Sequence, residues 1–485
     1  MTTTTRRAFL QGAPALIRGK RPPNILFLFS DEHNIRVAGY NGNRLARTPN
    51  LDRLAESGVV FSNAYCNSPL CVPSRLSLTT GKYVHRINAW SNNCRLPSDD
   101  YPGTLPRVMN AAGYESYLAG KMHYDRNHGY GFNVVMRGAH NNGLMTGRGG
   151  RRNADDQTVN RKAAAQRFQD FHTGDRSEVL DGDRDVTRAV VDLLERRSTS
   201  DKPFFLLAGY LAPHFPLIVP EPLYRNYEGK VGLPQIPPGH LDALPLNYKH
   251  QRRGFGTVDV PDDITRRGRE LYHGLTEWVD AEIGKVLDAL RRSAAAENTV
   301  IVYSADHGEN MGEHGMWWKN CMYEHAAHVP LIVNWPERWK GGQRRNGVCS
   351  LVDVVRTIAE LGGARVPGDW NGDSLVPLLE NRNAPWKERA VSQYYAHNIA
   401  SGFAMLREPR YKYVYHCRPD DQNPPERELY DLAKDPGEFH SLHADPSQRA
   451  RMLRMHDLLV KELGEDPDET ERRARFELAR GYAAP

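Results

Sequence analysis

Cysteine is scarce in this chain: six occur in 485 residues, at Cys66, Cys71, Cys94, Cys321, Cys349 and Cys417, and no two have the spacing of a zinc ribbon or a dithiol redox site. A Cys-rich metal module is therefore excluded. For five of the six the residues leave open buried free thiols or one or two disulfides. An excess of charge of one sign is missing too, with 64 Lys and Arg against 59 Asp and Glu and a net charge of +5. That balance argues against a nucleic-acid partner, while it tolerates an anionic small-molecule substrate. Beyond the N-terminus no hydrophobic run approaches the length of a membrane span. No internal repeat is visible, which sets aside solenoids and propellers. The length suffices for one large core plus a smaller unit. Nothing in the sequence sets the oligomeric state.

The first residues, "MTTTTRRAFLQGAPALIRGKRPPN", pair Arg6 with Arg7 ahead of a short apolar stretch and small residues around Ala13 to Ala15. This pattern reads as a twin-arginine export signal over residues 1–20 and predicts a periplasmic or secreted protein. A plain basic tail would leave the chain in the cytoplasm.

From Asn24 onward two patterns alternate. "NILFLF", Asn24 to Phe29, is an unbroken apolar run of the kind that suits a strand buried on both faces. "TPNLDRLAESGVVF" starts a helix at Thr48-Pro49 and stops it at Gly58 before a strand, and "LPRVMNAAGYESYLAG" repeats the sequence of helix, glycine and strand. "KPFFLLAGYLAP" and Thr299 to Ser304 supply two further buried strands, the second after a long helical pattern. Such alternation predicts an α/β fold with a large, mostly parallel sheet flanked by helices. Residues 137–188 and 219–268 read as long loop excursions. From about Pro385 the text changes to short strands in "AVSQYYA", "GFAMLRE" and "RYKYVYH" and a helix from about Pro446 to Leu463. We therefore expect a catalytic unit over 21–384 and a smaller C-terminal α+β unit over 385–485.

Three strand ends finish in polar clusters: Asp31-Glu32-His33, Lys121-Met122-His123 and Asp306-His307-Gly308. Strands of a parallel sheet end on one edge, where α/β folds bind ligands, so these residues are expected to converge. Carboxylates with one imidazole make a hard, mostly oxygen donor set for a divalent cation.

"LCVPSRLSLTTGK", Leu70 to Lys82, resembles the Cys-x-Pro-Ser-Arg signature of the type I sulfatases, and "GYESYLAGKMH" resembles their second signature. "SADHGENMGEHGMWWKN" and "ELYDLAKDPGEFHSL" are similar to later landmarks of the same family, so the resemblance runs from Pro23 to about Leu442. It implies the alkaline-phosphatase-like fold and hydrolysis of sulfate esters. It also implies that Cys71 is converted by a formylglycine-generating system to an aldehyde, whose hydrate attacks sulfur and then releases sulfate. The resemblance makes Asp31, Glu32, Asp306 and His307 the metal ligands, with Ca²⁺ expected and Mg²⁺ or Mn²⁺ as alternatives. Arg75 would hold the nucleophile, Lys121 and Lys319 the sulfate oxygens. His123 would accept a proton, and His214, with Lys319, would protonate the leaving alcohol. Where the family commonly has Asp-Asp or Asp-Gln after the first strand, this chain has Asp31-Glu32.

The substrate implied is a sulfated carbohydrate or a small organic sulfate. "GKMHYDRNHGYGF" resembles the choline-sulfatase and phosphonate-hydrolase side of the family, and Arg126, Asn127, His128, Arg137 and His140 are candidates to line a polar pocket. Two other functions stay open at this point: a phosphonate or phosphate monoester hydrolase on the same scaffold, and a catalytically silent binder of sulfated glycans.

Overall fold

The computed structural model describes residues 21–125, 127–138 and 167–479. The expected export signal, Arg126 and His140 lie outside them. Eight strands form the central sheet, here numbered along the chain: β1 (Asn24–Asp31), β2 (Val59–Phe61), β3 (Glu115–Gly120), β4 (Asn133–Arg137), β5 (Phe204–Pro213), β6 (Thr299–Ala305), β7 (Leu331–Asn334) and β8 (Gln343–Arg345). Their order across the sheet is β8-β2-β7-β6-β1-β5-β3-β4. Only β7 runs antiparallel to its neighbours, while β1 lies centrally between β5 and β6 in parallel register.

The apolar run that predicts β1 is buried on both faces, and the pleat sorts its side chains. Ile25, Phe27 and Phe29 join one core with Leu76 and Val355, whereas Leu26 and Leu28 join the other with Val186, Leu275 and Ile283. The second core lies beneath the helices Glu178–Glu195 and Asp262–Arg292. At roughly 1.5–3 kcal/mol for each fully buried large side chain, these two apolar layers hold the strand ends in register.

Both expected excursions contain helices. Glu178–Glu195 starts inside the first, with Ser177 accepting a hydrogen bond from the Leu180 amide as its cap. Leu246–Gly254 and the first turn of Asp262–Arg292 lie inside the second. The three C-terminal strands are present as Ala390–Tyr394, Phe403–Arg407 and Tyr411–His416, joined by a fourth, Glu426–Asp431, in one antiparallel sheet. The helix Arg449–Leu463 covers it through Met455, Leu459 and Leu463. Among the described residues no helix is long and apolar enough to cross a membrane.

Candidate active site

Four neighbouring strands deliver their C-terminal ends to one place. Asp31 closes β1 and Glu32 follows it, Lys121 follows β3, His214 follows β5 and Asp306 follows β6. Cys71 is the first residue of the helix Cys71–Thr80, all of which is buried. The partial positive charge of a helix N-terminus therefore falls on its sulfur.

The ten residues expected at the site come together. Cys71 Sγ lies 3.3 Å from His307 Nε2 and 3.8 Å from Asp31 Oδ1. His307 Nε2 is in turn 3.5 Å from Asp306 Oδ1. Lys121 Nζ pairs with Asp31 Oδ2 at 2.5 Å, and Lys319 Nζ donates to Glu32 Oε2 at 2.9 Å. His214 presents Nε2 to Glu32 Oε2 at 3.3 Å, and its Nδ1 faces the Phe215 carbonyl at 2.5 Å. A carbonyl at Nδ1 requires a proton there, which fixes the tautomer and leaves Nε2 for chemistry. His123 interacts with the Cys71 side chain.

Arg75 is fully buried and its fork is already spent. Nε donates to Asp306 Oδ2 at 2.7 Å, Nη2 to Asp31 Oδ2 at 2.8 Å and Nη1 to the Lys121 carbonyl at 2.6 Å. It thus ties two carboxylates and one strand end together, and in this arrangement it acts on the nucleophile through them. His33 turns away from the ligands, its ring bonded to the Tyr303 hydroxyl and the Val37 carbonyl.

Backbone strain collects here as well. Glu32 (φ 64°), His123 (φ 58°), Trp318 (φ 64°) and Asn320 (φ 79°) all occupy the left-handed region. Each costs about 1–3 kcal/mol, a cost kept where side chains must be aimed. Glu32 is held by its own amide on Asp306 Oδ1 at 3.1 Å and by its carbonyl on the Tyr272 hydroxyl at 2.5 Å.

The electrostatics single out Cys71. Burial alone would raise its thiol, but Lys319, Lys121 and His307 outweigh that and hold it well below the usual range. Cys66, Cys94, Cys321 and Cys349 are pushed up by burial, which the single lysines near Cys321 and Cys349 do not offset. None of the six cysteines forms a disulfide. Asp31 is held below its ordinary value although burial opposes it, because Lys121, His214 and Arg75 surround it. Burial pushes Glu32 and Asp306 up. His307 resists burial and rises to about 9, drawn up by Asp306 and Cys71, whereas burial and the two lysines take His214 down to about 3.

This donor set fits a divalent cation. Ligand atoms of Asp31, Cys71, Asp306 and His307 all lie within 4.8 Å of one another, as do those of Asp31, Glu32 and His214. Glu32 Oε1 is buried with no donor against it, a coordination the surrounding residues leave unsatisfied.

Three residues near the site carry no motif. Glu309 lies against Glu32 and accepts from the Met311 and Trp318 amides at 2.8 and 2.6 Å. Arg167 and His397 share an electrostatic environment with Cys71. Of the expected pocket residues, Asn127 and Arg137 are exposed and His128 stacks on Tyr130, so among the described residues none of these joins the cluster. A cavity of about 990 Å³ lined by His240, Tyr430 and Arg449 also lies apart, so volume does not mark the site.

The same residues match known proteins. A family model described as Sulfatase covers residues 23–364, and one described as N-sulphoglucosamine sulphohydrolase, C-terminal, covers 312–465. Arylsulfatase K of Canis lupus familiaris is 28% identical over 87% of this chain and 79% of its own length. An N-acetylglucosamine-6-O-sulfatase of Bacteroides thetaiotaomicron is 26% identical over 93% of this chain and 88% of its own. Among solved structures, a 2-O GAG sulfatase superposes with a TM-score of 0.71 at 24% identity, covering 95% of this chain and 94% of that one. The phosphonate monoester hydrolase of Silicibacter pomeroyi also gives 0.71 at 24%, covering 92% and 96%, a likeness of fold. Since the first of these models takes in every strand that feeds the cluster, along with Cys71, Asp306 and Lys319, the chain belongs to the sulfatase family and is a hydrolase of sulfate monoesters.

Proposed function

We propose that this enzyme cleaves sulfate from a carbohydrate, using formylglycine made from Cys71 by a formylglycine-generating system and a divalent cation, most simply Ca²⁺, held by Asp31, Glu32, Asp306 and His307. The observation that carries this reading is the placement of Cys71: one buried thiol, at a helix N-terminus, ringed by three imidazoles, two lysines and the carboxylates. Relatives whose names specify sulfated sugars support the substrate class. An oxygen-rich donor set with a single imidazole favours Ca²⁺ over softer metals, and Mg²⁺ and Mn²⁺ are the alternatives.

The modified residue supplies an aldehyde hydrate as nucleophile, and the bound cation supplies fixed positive charge beside the sulfate. The chain's own residues do the rest. Lys121 and Lys319 place two ammonium groups around position 71, where they bind sulfate oxygens and offset charge in the transition state. Arg75 positions Asp31 through Nη2 and Asp306 through Nε. His123, which burial keeps below its ordinary range and which meets the side chain at position 71, accepts a proton there. Lys319, an ammonium paired with Glu32, supplies the proton to the leaving oxygen, and His214, with its one proton fixed on Nδ1 by the Phe215 carbonyl, keeps Nε2 as an acceptor beside it.

We also divide the chain near residue 385, into a catalytic unit over 21–384 and a smaller unit over 385–485, and assign residues 1–20 to periplasmic export. Reaction class is tested by kcat/KM with matched aryl esters. The modified enzyme should favour the aryl sulfate over the corresponding phosphate and phosphonate. A clear preference for the phosphonate under the same metal and pH would replace this reading with a monoester hydrolase. Specific binding of sulfated glycans without turnover of any ester would replace it with a silent binder.

A further inference from the structure

Beside the cluster lies a cation that the mechanism above does not use. Arg167 stacks its guanidinium over Phe215 at 4.3 Å and over Trp318 at 4.8 Å. Phe215 is also the ring beneath Lys319 Nζ, at 5.1 Å, and it stacks on His214 at 4.0 Å. One aromatic ring therefore seats both the lysine assigned to the sulfate and this arginine, close enough for one sugar-sized ligand to reach both. Trp318 is braced in turn by Phe168, Phe215 and Phe255.

Stacking uses the face of the guanidinium and leaves its edge. Among the described residues Arg167 makes no hydrogen bond and no ion pair, and it is only half-buried. A guanidinium has five N–H donors in a planar fork that matches carboxylate and sulfate oxygens. Held flat on two rings, it has lost the rotamer freedom that usually weakens an exposed arginine's grip. Arg75, the other arginine of the site, has its fork filled by protein.

A further neighbour of Arg167 comes from the C-terminal layer. The Tyr394 hydroxyl donates to Asn320 Oδ1 at 3.0 Å, fixing the segment that carries His397 against the residue after Lys319. His397 shares the electrostatic environment of Arg167, Lys319 and Cys71, and burial takes its imidazole down to about 4. It is therefore neutral near pH 7, suited to a hydroxyl rather than to an anion.

We propose that Arg167, on the platform of Phe215 and Trp318, is a specificity-determining residue that binds a second anionic group, a carboxylate or a second sulfate, on the sugar carrying the scissile ester or on its neighbour. This rests on the sulfatase reading and adds that the natural leaving group is itself charged.

The test compares substrates with and without the second anion. Glucose 6-sulfate has none, a sulfated glucuronic acid adds a carboxylate, and glucosamine 2-N,6-O-disulfate adds a sulfate. Arg167→Gln should lower the ratio of kcat/KM for a dianionic over the monoanionic substrate by about tenfold to a hundredfold, the worth of a charge-assisted bond, through KM. Arg167→Lys should recover part of it. Calorimetry on the Cys71→Ser protein, which needs no turnover, should show the same change in Kd, and the carboxylate and sulfate arms tell which anion is bound. Equal losses on all substrates, or an unchanged ratio in both kinetics and binding, would overturn the subsite while leaving sulfatase activity intact. Absence of turnover of every sulfate ester by the modified wild-type enzyme would overturn the sulfatase reading and the subsite with it.

Discussion

Asp183 tests how the fold aims His214. Between β1 and β5 the register breaks: Phe29 pairs with Gly209 and Asp31 pairs with Pro213, so β5 spends two extra residues in a bulge just before His214. The amides of Leu211 and Ala212 in that bulge are satisfied by Asp183, on the helix Glu178–Glu195, at 2.6 and 2.9 Å. Asp183→Ala leaves two buried N–H groups unpaired, at about 1–3 kcal/mol each. Burial raises the Asp183 carboxyl to about 7 despite those two donors, so part of the loss is returned when a poorly solvated carboxylate is removed. The net loss expected is about 2–4 kcal/mol, read by urea denaturation at fixed metal concentration. A drop in kcat of about tenfold or more should accompany it, since His214 loses its placement.

The same residue gives a pH signature. Its pKa is raised on folding, so between the unfolded value near 3.8 and the folded value near 7 the native state holds the proton and the unfolded state does not. Stability contributed by Asp183 is therefore fully present below about pH 4 and is lost as pH rises through about 7, at roughly 1.4 kcal/mol per unit. Asp183→Asn cannot titrate, so the stability of the wild type relative to this variant should fall between pH 5 and pH 8. A flat difference over that range, or Asp183→Ala within about 0.5 kcal/mol of wild type, would refute the role given to this carboxyl.

Two further outcomes concern the metal. Asp306→Ala should lose both turnover and bound metal by elemental analysis, because it removes a ligand and leaves Nε of the buried Arg75 without its carboxylate; full occupancy in that variant would refute the assigned site. Glu32→Asp shortens the arm that now meets Lys319 and His214, and should change the order of activation by Ca²⁺, Mg²⁺ and Mn²⁺ more than it lowers the best rate, as metal titration of the stripped enzyme would measure.

Strand ends were legible in the sequence because an apolar run that stops abruptly in acids or a lysine has few other meanings, as at Asp31, Lys121 and Asp306. The helix Cys71–Thr80 was not, because every residue in it is buried and no amphipathic stripe betrays it. The helix Glu178–Glu195 carries a cap and a clear apolar face, yet its Asp- and Arg-rich surroundings read as loop. Glu426–Asp431 hid as a strand because "ERELYD" exposes its charged start and buries only its end. Asp183, Glu309, Arg167 and His397 are single residues whose meaning comes from what faces them across the fold, and no spacing along the chain records that.

Catalysis turns on the chemical group at position 71. Mass spectrometry of the peptide spanning Leu70 to Arg75, on enzyme made with graded levels of the formylglycine-generating system, measures that group alongside turnover of an aryl sulfate. Specific activity should rise in proportion to the aldehyde fraction and vanish when only thiol is present. Full activity from protein whose Cys71 is entirely unmodified would contradict the formylglycine mechanism.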